Sequence, residues 1–89
     1  MNDITLKEAL EIKKEISYFE QFEHAVIQAK NQDKFSIRFR YCDETTSEKE
    51  WYTSCQGADD LNVNTELAEV VLEYIQTRLK DAKIRFEEL

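Results

Sequence analysis

Ala68, Leu72, Ile75, Leu79, Ala82, Phe86 and Leu89 follow one another at spacings of 4, 3, 4, 3, 4 and 3, up to the last residue of the chain. An α-helix returns side chains to one face at this period, so the run predicts a long amphipathic helix with a seam that must be covered. A partial copy lies near the other end, in Ala9, Ile12, Ile16, Phe19, Glu23 and Val26. Two such helices bracket the middle of the chain, and each constrains the other as a packing partner.

The first helix is expected over residues 5–31. Thr5-Leu6-Lys7-Glu8 is a capping box, in which the Thr5 hydroxyl and the Glu8 carboxylate satisfy each other's amides. Asn31 is a residue that can take the left-handed conformation closing the helix. The second helix is expected over 64–88, capped by Asn64. Its charges follow the helix dipole, with Glu66, Glu69 and Glu73 early and Arg78, Lys80, Lys83 and Arg85 late.

Between the helices the period changes from 3.6 to 2. Phe35, Ile37, Phe39 and Tyr41 alternate with Ser36, Arg38 and Arg40, which predicts a strand over 34–42. A second strand is expected over 49–56, with Trp51, Thr53 and Cys55 turned inward. The outer face then sets Arg38 and Arg40 against Glu50, Tyr52 and Ser54. The polar run Asp43 to Glu48 lacks an Asn-Gly or Asp-Gly pair and predicts a hairpin loop longer than two residues.

The fold class is therefore α+β: a single α-β-β-α domain over 1–89, with two long helices packed on a two-stranded antiparallel hairpin. The predicted core is Ile12, Ile16, Phe19, Val26, Phe35, Ile37, Phe39, Trp51, Leu72, Ile75, Leu79 and Phe86. The outline resembles that of prefoldin-type chaperone subunits, with much shorter helices and no shared motif, so the resemblance implies nothing about residue roles.

Apolar residues also lie off both seams. Leu6 and Leu10 fall to one side of the first helix, and Tyr18, Phe22, Ala25 and Ala29 to the other. The second helix adds Leu67, Val70, Val71, Tyr74 and Ile84. A chain of 89 residues has a thin stability margin, and this surplus predicts a homodimer or a protein partner. Leu6, Leu10, Phe22, Tyr74, Phe86 and Leu89 are the expected contact residues, with Phe86 and Leu89 beyond intrachain cover.

Glu23 interrupts the first seam, as a polar residue that sets register or partner choice does. Arg78 is too far along an antiparallel second helix to answer it within one chain.

The formal charge of −7 argues against direct binding of nucleic acid or an anionic membrane surface. From Glu50 to Thr77 there are 28 residues without Lys or Arg. Asp59, Asp60, Glu66, Glu69 and Glu73 fall there and form a candidate acidic interaction patch, with helix-dipole complementarity and solubility as the competing account. No apolar run suits a bilayer and the N-terminus has no leader pattern, which predicts a cytoplasmic protein.

Chemistry is sparsely provided for. His24 is the sole histidine, and Cys42 and Cys55 are the only cysteines. The cysteines fall on opposite faces of the predicted hairpin, which suits neither a disulfide nor a metal pair. Phosphate-loop, nucleophile-elbow, zinc-protease and calcium-loop motifs are missing. No catalytic residue, metal or cofactor is expected. The sequence points to a non-catalytic adaptor or inhibitor, of the short acidic kind that phage and mobile elements encode against host factors. A structural or chaperone-like subunit is the alternative, and a small metal protein or enzyme using His24 and the cysteines a second one.

Overall fold

The computed structural model describes residues 3–54 and 61–89. Helix α1 spans Asp3–Asn31, strand β1 Arg38–Cys42, strand β2 Glu48–Tyr52 and helix α2 Val63–Glu87. The class is α+β and the order α-β-β-α, as the periodicities predict.

The two seams face each other. α1 and α2 run antiparallel, shown by Lys30 meeting Glu69 at 3.8 Å near one end and Lys13 lying over the Phe86 ring near the other. Ala9, Ile12, Phe19 and Val26 of α1 are buried, with Ala68, Ile75, Leu79 and Ala82 of α2. Ile75, Ala68 and Ala82 expose nothing. Alanine recurs in this buried seam, at Ala9, Ala68 and Ala82, and a short side chain permits a small interaxial distance. Burying Ile75 contributes roughly 1.5–3 kcal/mol. Ile16 and Leu72 are half-buried against this cluster, and Glu23 is half-buried in the seam.

The hairpin register pairs Phe39 with Trp51 and Arg40 with Glu50. The helices pack on the hairpin at its root. Phe35 leaves the strand direction and joins the helical core, which is why β1 starts at Arg38 rather than near residue 34. Thr53 is buried opposite Ile37. Its hydroxyl accepts the Ile37 amide at 2.7 Å, and its own amide donates to the Ile37 carbonyl at 2.9 Å. Beyond this root every strand residue is exposed. Phe39 and Trp51, expected in the core, are 52% and 49% exposed. The alternation distinguished two faces, but no helix reaches over the aromatic one.

The ends of the elements also differ from expectation. α1 closes in a Schellman arrangement, with Lys34 N–H donating to Ala29 O at 2.8 Å and Asp33 N–H to Lys30 O at 3.1 Å. The left-handed residue is Asp33, at φ 59°, not Asn31. At the start of α2 the cap is Asn62, whose side chain makes no capping bond. Asn64 lies inside the first turn, and its Oδ1 is buried without a hydrogen-bond partner among the described residues. The hairpin loop is a turn closed by Thr46 N–H to Asp43 O at 3.0 Å, followed by Thr46 at φ 61°. That is the three-residue loop with a left-handed final residue, a position that usually takes glycine.

The molecule is thin, with extents of 54 × 35 × 15 Å and a radius of gyration of 17.7 Å. A compact chain of this length has a radius near 12 Å. The accessible surface is 7246 Å²; mass scaling gives about 5,500 Å² for a folded monomer. The molecule is one element deep, where stable domains stack two layers.

Candidate interaction surfaces

The outer hairpin carries two chemically opposite faces. On one, Phe39 and Trp51 stand as a cross-strand pair with ring centroids 6.2 Å apart, and Tyr41 is the next residue along that face. All three are about half exposed. On the other face Glu50 accepts from Arg40 Nε at 3.1 Å and from the Tyr52 hydroxyl at 2.9 Å. The Tyr52 hydroxyl, then the Arg40 guanidinium, hold the Glu50 carboxyl below its ordinary range. Lys49, which pairs with Tyr41 and so belongs to the aromatic side, bridges to Asp43 at 2.8 Å and, with Thr45, holds that carboxyl down as well. These polar contacts link the two strands and their loop, while Phe35 and the Thr53–Ile37 bonds hold the root of the ribbon.

The helical pair has a second surface. Tyr18, Phe19, Phe22 and Tyr74 form an aromatic cluster: Tyr18 meets Phe19 edge-on at 5.2 Å and Phe22 at 6.0 Å, and Tyr74 meets Phe19 at 6.2 Å. Phe19 belongs to the buried seam. The other three rings extend over one flank of the pair, with Tyr18 and Tyr74 exposed and Phe22 half-buried.

An ion-pair group closes this flank toward the N-terminus of α1. Glu15 accepts from Arg78 Nη2 at 3.0 Å and from Arg85 Nη2 at 2.9 Å. Arg85 also donates to Asp81 at 2.9 Å, and Arg78 to the Tyr74 hydroxyl at 2.9 Å. The bonds from Arg78 and then Arg85 hold the Glu15 carboxyl below its ordinary range, against a smaller opposing effect of burial. Arg78, too far along α2 for Glu23 of its own chain, thus has Glu15 as its intrachain partner, which the sequence reading did not name. The signal was present: Glu15, Arg78 and Arg85 each immediately precede a seam residue, Ile16, Leu79 and Phe86, and so share one flank.

The remaining expected contact residues scatter. Leu6 and Leu10 are exposed on α1. Phe86 is half-buried under Lys13, whose Nζ lies 5.6 Å from the ring centroid, so it has the intrachain cover that the sequence denied it. Leu89 is partly exposed and lines a hollow with Ile12 and Arg85. Glu66, Glu69 and Glu73 are exposed along the outer side of α2, and Glu69 is shared with Lys30. Asp59, Asp60 and Cys55 lie outside the described residues.

His24 is exposed on α1, and Cys42 carries a free, exposed thiol on the hairpin. Among the described residues, no group of three or more His, Cys, Asp or Glu side chains could hold a metal ion. No described helix is long and apolar enough to cross a membrane. Set against protein-family models, curated proteins and solved structures, the chain matches none.

Proposed function

We propose that this chain is a non-catalytic protein-interaction module, a small acidic adaptor or inhibitor that works as a homodimer in the cytosol and offers its hairpin to another protein. The observation that carries this reading is the half-exposed Phe39, Tyr41 and Trp51 face on a ribbon braced by its own polar contacts. Aromatic side chains held in one orientation supply large contact area at low entropic cost and dominate protein interfaces. The ribbon's outer edges also suit strand addition by an extended peptide. The free Cys42 thiol fits a reducing compartment.

The excess surface favours one other reading, a permanent subunit of a larger assembly. Such a subunit co-purifies with its partners at fixed stoichiometry, whereas an adaptor or inhibitor exchanges with free partner.

The test is affinity capture from a lysate with the wild type and with a Phe39→Ser/Trp51→Ser double variant of unchanged helical content. A partner captured by the wild type and lost by the double variant supports the reading, and equal capture by both overturns it. Trp51 is the only tryptophan, so its emission should shift to the blue as the isolated partner is titrated in. Capture that disappears in high salt while Trp51 emission stays constant would assign the contact to Glu66, Glu69 and Glu73 instead.

A further inference from the structure

A second heptad seam runs along each helix, beside the one that joins them. On α1 it is Tyr18, Phe22, Ala25 and Ala29, at spacings of 4, 3 and 4; on α2 it is Val63, Leu67, Val70 and Tyr74, also at 4, 3 and 4. Because the helices are antiparallel, these stripes fall on the same side of the pair: Tyr18 and Tyr74 both meet the Phe19 ring, on the flank that Glu15 and Arg78 close. In a chain with 35% charged residues, neither stripe contains a charge. Tyr18 is 62% exposed and Val70 61% exposed.

We infer that this face takes the same face of a second copy, giving a four-helix homodimer about a two-fold axis. Three observations select that occupant. The surface exceeds the monomer expectation by about 1,800 Å², while a stable interface takes about 800 Å² from each partner. The surplus of one protomer is therefore larger than its share of a stable dimer interface. The face is also neutral. The chain carries −7, so two copies repel everywhere except where charge is missing or internally paired. The stripe is uncharged, and the charges at its end, Glu15 and Asp81 against Arg78 and Arg85, are already paired. Finally, the pair is itself antiparallel, with helices of 29 and 25 residues, so a second pair can lie across it with antiparallel neighbours throughout. Ala25 and Ala29 leave room for that approach, and Tyr18 and Tyr74 supply the aromatic contacts typical of such cores.

This inference rests on the homodimer of the interaction-module reading: a monomeric wild type sinks the dimer in both, a dimer that survives Val70→Glu sinks only the face assigned here, and equal capture by the hairpin variant sinks only the hairpin reading. The test is light scattering from micromolar to millimolar protein on the wild type, Val70→Glu, Val70→Lys and the Phe39→Ser/Trp51→Ser variant. The expected result is twice 10.6 kDa for the wild type and the hairpin variant. Each single Val70 variant should give the monomer mass or lose helical signal. An equimolar mixture of Val70→Glu and Val70→Lys should recover both the dimer mass and the helical signal, which keeps the test decisive if the single variants unfold. A monomeric wild type throughout would overturn the inference. So would a Val70→Glu variant that remains dimeric, or a hairpin variant that becomes monomeric. A monomeric wild type whose captured partner is lost in Val70→Glu would assign the face to a foreign protein.

Discussion

Arg78 donates to Glu15 at 3.0 Å across the two helices, joining residues 63 positions apart in the chain. The same guanidinium lies over the Phe19 ring, with its carbon 4.9 Å from the centroid. One side chain thus ties α2 to both the charged rim and the aromatic cluster of α1. Glu15 is the hub, since Arg85 reaches it as well.

This hub makes stability depend on pH in a defined direction. The Glu15 carboxyl is held below its ordinary value by the two arginines. A group whose folded pKa is depressed contributes stability that is fully present above its unfolded pKa, and loses it as pH falls through the folded value. The contribution should be intact at neutral pH, begin to fall below about pH 4.3, the ordinary glutamate value, and disappear as pH drops through the lower folded value. Melting temperatures of the wild type and Glu15→Gln should therefore differ most near neutrality and converge in acid. Curves that stay parallel over that range would remove Glu15 from the account.

Core and hairpin substitutions should separate cleanly. Ile75 is fully buried, and Ile75→Val should cost about 1 kcal/mol in chemical denaturation. Phe39→Ala removes a larger side chain from an exposed position and should change helix unfolding by less than about 0.5 kcal/mol. Equal losses for the two would mean that the aromatic face is covered within the chain.

Ala82 exposes nothing at the helix contact. Enlarging it, as Ala82→Leu, should force the helices apart and cost about 1–3 kcal/mol. The same change at Ala25, which is exposed, should leave the unfolding of a dilute monomer unchanged and weaken self-association.

Thr46 sits at φ 61°, where a β-branched residue crowds the neighbouring carbonyl. Thr46→Gly should stabilise the hairpin by about 1 kcal/mol. The near-ultraviolet dichroism of Trp51 would report it as a transition moved to higher temperature, with the far-ultraviolet helix transition in place. Because Thr46 is distant from the seam, a shift in helix melting would show that the hairpin and the helices unfold together.

In Glu23→Leu, the half-buried carboxylate of the α1 seam gives way to an apolar side chain beside Leu79. The melting temperature should rise, because desolvating a carboxylate costs more than the seam returns for it. A fall would reveal an ion partner for Glu23 in the assembled state.

How much of this was legible beforehand differs by element. The helix seams were readable because a 3–4 spacing returns to one face whatever the tertiary context, and Ile12, Phe19, Val26, Ile75 and Leu79 are buried as it requires. That Arg38 and Arg40 share a face with Glu50 and Tyr52 followed in the same way from period 2, and the register then pairs Arg40 with Glu50 and Arg38 with Tyr52. Helix ends were less legible: Asn31, Asp33, Asn62 and Asn64 are chemically similar candidates, and backbone geometry chose Asp33 and Asn62. On the candidate surfaces, Phe22 and Tyr74 were identifiable as off-seam residues. For the Glu15 hub the shared flank of Glu15, Arg78 and Arg85 was legible, but not which of them meet, because that depends on how far one helix slides along the other.

By itself, then, the sequence determined the elements, their order and which side chains share a face, since these follow from local repeat distances along the backbone. Only the tertiary structure decided which faces are covered. Phe39 and Trp51 alternate as regularly as a buried strand would, yet they face water because the helices spend their seams on each other, and among the described residues of this region it is Phe35 that joins their core. Periodicity shows that a face is apolar. Whether anything lies against it depends on the reach and direction of the elements around it.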